Sequence, residues 1–144
     1  MRILTRCVIL MLAMIILAKV YAATPVITGN WIILDDQTNK PYALAELFII
    51  KNQLNGRFIK LLCEKQQQIC HHCPAPYNNS PLEGLVFMWN LQKLRHNKWG
   101  DGKILEPRSG KIYHVQVKYV RNKLYVRSYV WTTLLGKTHI WKRQ

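Results

Sequence analysis

Apolar and polar residues alternate along the last third of the chain, and this period of two commits it to β-strands with one dry and one wet face. Over Lys111 to Tyr119, Tyr113, Val115, Val117 and Tyr119 point one way, while Ile112, His114, Gln116 and Lys118 point the other. Val120 to Lys123 turns the chain. Leu124, Val126, Ser128 and Val130 then share a face opposite Tyr125, Arg127, Tyr129 and Trp131, and a last strand, Lys137 to Lys142, follows Gly136. Three such segments in a row predict an antiparallel meander.

The preceding residues extend the pattern. Asn30 to Leu34, Leu44 to Lys51 and Arg57 to Glu64 read as strands, separated by a polar Asp35 to Pro41 turn and by Asn52 to Gly56. Asn55-Gly56 is a strong hairpin signal, because Gly accepts positive φ without steric cost. Lys65 to Pro81 is a polar, Pro-containing loop. Gly84 to Leu94 carries a helix-like stripe (Leu85, Met88, Trp89), but its neighbours favour a strand. Trp99 to Leu105 is another strand and Glu106 to Gly110 a turn. An open sheet of about eight strands leaves two edges to protect, and closure removes both. The expected fold is therefore all-β: a single antiparallel up-and-down barrel of about eight strands.

The first residues do not belong to it. Arg2 and Arg6 precede an apolar run from Val8 to Ala18, and Val20-Tyr21-Ala22 offers small or β-branched residues before a cut between Ala22 and Ala23. That is the pattern of a secretory signal peptide. The run is too short for a membrane span of roughly 20 residues. Residues 1–22 are thus expected to be an address and 23–144 the barrel domain, a protein soluble in the periplasm and not integral to a membrane once processed.

Net charge is +14, from 21 Lys and Arg against 7 Asp and Glu, and all the excess outside the leader lies after Gln92. Interleaved Trp and Tyr make this resemble a nucleic-acid surface, but export argues against nucleic acid as a partner. Anionic envelope surfaces, lipid headgroups or lipopolysaccharide, are the available polyanions. A plain solvated basic surface is the simpler reading.

Cys70-His71-His72-Cys73 is the most chemical-looking segment. In an oxidising compartment two Cys at this spacing favour a Cys70–Cys73 disulfide. Metal binding is the alternative, although four adjacent residues cannot supply a tetrahedral set to one ion. Pro74 stands where covalent haem attachment needs His, and a thioredoxin-like role lacks its βαβ setting. Cys63 is left over, free or paired elsewhere. No metal and no cofactor is implied.

Nothing marks an enzyme. There is no nucleophile elbow, phosphate loop or zinc-protease helix. Asp35-Asp36 reads as a turn that caps backbone donors, and His114 and His139 as surface or packing residues. The aromatics, Trp89, Trp99, Tyr113, Tyr129 and Trp141 among them, either line a pocket or fill the core. Filling is the safer expectation for a small barrel.

Several segments together resemble a known family. They are Gly29-Asn30-Trp31, Gly56, Gly84-Leu85, the run from Trp99 to Tyr113, Leu124 to Tyr129, and Leu135 to Arg143. In this order they are similar to small exported bacterial proteins grouped as domain of unknown function 2147. Departures are modest: Glu106 where Asp is expected, Ser128 where Gly is usual, and Lys137 and His139 in place of Arg and Gln. An inward Ser128 would tighten the barrel. The resemblance implies a lipocalin-like (calycin-type) barrel and no known reaction. It also implies that Trp31 at the closed end packs under an Arg from a late strand, Arg127 or Arg143, by cation–π contact. The expectation is a non-enzymatic periplasmic protein that binds a small apolar or amphipathic ligand; the alternative is an envelope interaction protein that uses its basic half.

Overall fold

A computed structural model describes residues 27–63 and 68–144. The proposed cleavage between Ala22 and Ala23 lies outside them. Eight antiparallel strands follow one another among the described residues: β1 (Gly29–Leu34), β2 (Pro41–Ile50), β3 (Gln53–Leu61), β4 (Val86–Arg95), β5 (Lys98–Glu106), β6 (Lys111–Val120), β7 (Lys123–Tyr129) and β8 (Gly136–Arg143). Each pairs with the next, and β8 returns to β1 through Trp31↔Arg143 and Ile32↔Lys142, which closes the barrel. The ambiguous Gly84 to Leu94 segment is strand β4, because its partners on both sides supply ladder hydrogen bonds that a helix there would forfeit.

Up-and-down order puts the β2–β3, β4–β5 and β6–β7 connections at one end and the other four at the opposite end. The first three are two-residue hairpins, with Ile50↔Gln53, Arg95↔Lys98 and Val120↔Lys123 as their closing pairs. Lys51 and Asn52, and likewise Arg121 and Asn122, all have positive φ, the type I′ geometry that matches strand twist.

Here the structure corrects one expectation. The β2–β3 turn is Lys51-Asn52, and Asn55-Gly56 lies inside β3. Gly56 is kept small by its neighbours: a Cβ there would sit 3.0 Å from Leu47 and 3.2 Å from Met88. Asn55 is buried and accepts the Asn90 amide through its side chain at 3.1 Å. The dipeptide serves interior packing and a strand irregularity instead of a turn.

At the hairpin end the barrel is solid. Trp31 is fully buried, meets Tyr119 edge-on at 5.9 Å, and donates its indole N–H to the Ile27 carbonyl at 2.9 Å. Leu54, Leu91, Val117 and Leu124 are buried with it. Arg143 lies over the Trp31 ring at 4.8 Å and donates to the Thr28 carbonyl at 2.9 Å. Gly29 has φ +107 and leaves room for that guanidinium, whose nearest atom would be 3.6 Å from an added Cβ.

Candidate functional site

The other half of the barrel is not filled. Phe58 and Phe87 stack at 4.0 Å, and Phe87 meets Trp141 at 5.9 Å, which makes an aromatic floor across the interior. Above it opens a cavity of about 680 Å³. Val126, Ser128, Ile33, Ile104 and Tyr113 line its wall. This overturns the expectation of a filled barrel. Large rings that stack on one another consume inward volume at one level only, and Val126 and Ser128 are too small to close the space above. Ser128, expected to tighten the barrel if inward, lines the cavity.

The rim is charged, and two of its three carboxylates pair with cations. Asp35 accepts the Gln37 and Thr38 amides, as a turn-capping residue should, and also pairs with Arg108 at 3.0 Å. The Thr38 amide first, then Arg108, holds its carboxyl well below the usual carboxylate range. Arg108 also stacks over Tyr42 at 4.8 Å. Asp36 reaches from the β1–β2 turn to the neighbouring strand β8, with one oxygen 2.6 Å from Lys137 Nζ and the other 2.6 Å from His139 Nδ1. Burial would raise the Asp36 carboxyl, but the hydrogen bonds from Lys137 and His139 outweigh it and lower it. The same contact raises Lys137. Glu106 accepts the Ser109 hydroxyl at 2.6 Å.

Reading Asp35-Asp36 as a plain turn captured Asp35 and missed Asp36. His139, expected to be a surface or packing residue, is its partner 103 residues away. The only local signal was the inward parity of Lys137 and His139 on β8. The contact that His139 makes is with Asp36, whose other oxygen holds Lys137, so the three side chains balance charge at the rim.

The other singled-out residues divide between the interior and the outer surface. Tyr113 and Trp141 line the cavity; Trp99 is buried, with Lys93 Nζ 6.0 Å from its ring centre. Trp89 is half-buried on the outer surface, where register sets it beside Lys103 and it packs against Tyr77 at 5.8 Å. Tyr129 touches the cavity edge, but its ring stacks on His114 outside the barrel at 5.5 Å. These two are therefore not interior aromatics: register gives both the outward parity. Of the two candidate partners of Trp31, Arg143 makes the contact. Arg127 points outward and donates to the Thr133 and Leu134 carbonyls and to Thr138 Oγ1, so it holds the β7–β8 loop.

Cys70 and Cys73 are joined as a disulfide, and Cys63 is an exposed free thiol. The bridge closes a tight loop whose Cys70 amide donates to Ser80 at 2.9 Å and whose Cys70 sulfur approaches the Pro107 carbonyl. It thereby braces the β3–β4 connection against the rim turn that carries Arg108. No group of three or more His, Cys, Asp or Glu converges as a metal site among the described residues.

Comparison with known proteins agrees with this architecture. No curated protein matches the chain. Among solved structures it is similar to the protein HP1028 from the human pathogen Helicobacter pylori, described as belonging to the lipocalin family. The two share 25% identity with a TM-score of 0.72, over 81% of this chain and 82% of that one. The family described as "Uncharacterized protein conserved in bacteria (DUF2147)" matches residues 29–143, from the first residue of β1 to the last of β8. The chain belongs to that family, and its fold is an eight-stranded, lipocalin-like closed barrel.

Proposed function

We propose that this protein carries a small apolar or amphipathic ligand in the open half of its barrel, without catalysing a reaction, after export to the periplasm. One observation carries the reading: a cavity of about 680 Å³ with an aromatic floor and a polar rim. That volume falls within the ~300–1,000 Å³ of ordinary ligand pockets, and such pockets combine apolar walls with a few polar groups. The apolar part of the ligand would lie on Phe58, Phe87 and Trp141. A polar end would reach Arg108, Lys137 and His139.

Native mass spectrometry of the protein recovered from its own cells tests this. Extra mass that leaves on denaturation is expected, together with binding of an anilinonaphthalene sulfonate probe that Val126→Trp abolishes. A bare chain that also ignores the probe overturns the reading.

A second reading has its own observation. Lys98 stands directly opposite Lys118, Lys123 opposite Lys142, and Arg95 opposite Lys98. No carboxylate pairs with any of them among the described residues. Like charges opposed across a ladder are destabilising, and a bound polyanion relieves that. Contact with anionic lipid headgroups, lipopolysaccharide or an acidic protein would follow. Salt-sensitive pelleting with anionic vesicles only, lost in Lys98→Glu with Lys118→Glu, is the expected result; equal pelleting with neutral vesicles sinks it.

A further inference from the structure

The β7–β8 loop, Val130-Trp131-Thr132-Thr133-Leu134-Leu135, has no charge, no Gly and no Pro, although surface connections are ordinarily polar. It carries the three most exposed large apolar side chains among the described residues: Leu134 at 86%, Trp131 at 84% and Leu135 at 73%. Val130 adds 54%. The other exposed apolar residues, Ile50 at 55% and below, are scattered over the rest of the chain. The loop is also built to stay outside. Arg127 grips its Thr133 and Leu134 carbonyls, and the Leu135 amide donates to the Thr132 carbonyl at 3.1 Å.

We propose that this loop is a membrane-seating element that sets the mouth of the barrel against a lipid bilayer. Its place argues for it, because Val130, Leu134 and Leu135 also line the cavity edge. A mouth seated in this way opens onto acyl chains instead of water. The chemistry of the neighbours agrees. Asp35 and Asp36 are each paired with a cation, and Glu106, the third carboxylate of the lining, accepts the Ser109 hydroxyl. Trp suits the interfacial level, with an apolar ring and a polar N–H. A second copy of the chain fits less well. Four apolar residues of one short loop fall well short of the roughly 20–30 residues a side that a stable interface buries.

The inference does not need a loaded cavity, and its test separates it from both readings above. Wild-type protein is mixed with zwitterionic phosphatidylcholine vesicles in high salt and floated. Co-flotation is expected, with a loss of at least tenfold in Leu134→Ser with Leu135→Ser. Both positions are so exposed that the barrel keeps its melting temperature. Lipids brominated near the headgroup should quench tryptophan emission, and Trp131→Phe should remove that quenching while flotation persists. Three outcomes overturn the proposal: no binding to neutral vesicles, binding that requires anionic lipid and fades with salt, or undiminished flotation of the double variant. A concentration-dependent dimer that the double variant abolishes, without any flotation, assigns the loop to self-association and overturns it too.

Discussion

At the hairpin end, Trp31 is wholly buried beneath Arg143, and two-residue turns send the strands straight back. At the opposite end, the aromatic floor stops below the rim, the connections lengthen, and a cavity of about 680 Å³ is left. The same strands supply both ends, so the difference lies in what stands at the inward positions and in the turns. Short turns cannot cover an opening, and the core must plug it. Long connections carry side chains of their own, and these build a rim. Stability and binding are thereby assigned to opposite ends.

That division is open to attack. Its largest expected effect is Trp31→Ala, which removes a fully buried ring, a buried N–H partner and the surface on which Arg143 rests. Such truncations cost about 3–5 kcal/mol, readable by denaturant unfolding. A cost under 1 kcal/mol would mean the plug is not where the barrel is held. Next is Val126→Trp at the open end. Probe affinity should fall more than tenfold, with the midpoint of unfolding nearly unchanged because the new ring enters existing space. A large loss of stability would show that the cavity is closely packed in solution.

Arg143→Ala should cost about 1–2 kcal/mol, from the lost stacking over Trp31 and the lost hydrogen bond to Thr28. Probe binding should be untouched. Should binding fall instead, the two ends communicate and the division fails.

The smallest effect belongs to the rim charges. The folded Asp36 carboxyl is lowered, so its pairing with Lys137 and His139 contributes above the unfolded carboxylate range, near pH 4. That contribution is lost as pH falls through the folded value. The pair is partly exposed and screened, so Asp36→Asn should cost under ~1 kcal/mol at neutral pH. The gap between wild type and variant should vanish in acid. A gap that widens there would contradict the assigned direction.

Strand positions were readable because alternation is a local property. Each of Tyr113, Val115 and Val117 declares its face by its neighbours, and eight such segments leave closure as the natural way to hide two edges. The disulfide at Cys70 and Cys73 was legible for the same reason, since its partners lie three residues apart. Asn55-Gly56 misled because a turn propensity is weak where Leu47 and Met88 demand a small residue on the barrel interior.

The site was less legible. Asp36 and His139 are neighbours only because closure of the barrel brings the β1–β2 turn to β8. Arg127 and Arg143 lie on adjacent strands and look equivalent as partners for Trp31. Parity separates them: the position of Arg127 faces outward to the loop, whereas Arg143 shares the parity of Trp141 and is paired with Trp31 in the closing ladder, which sets it over the indole.

By itself the sequence determined the all-β class, the strand count and the lopsided charge, since each follows from residues close together or from composition. Only the tertiary structure decided that one half of the barrel is open, which charges balance at its rim, and which apolar loop stands exposed beside it. Those outcomes depend on how side chains from distant strands share one interior volume, and no local pattern records that sum.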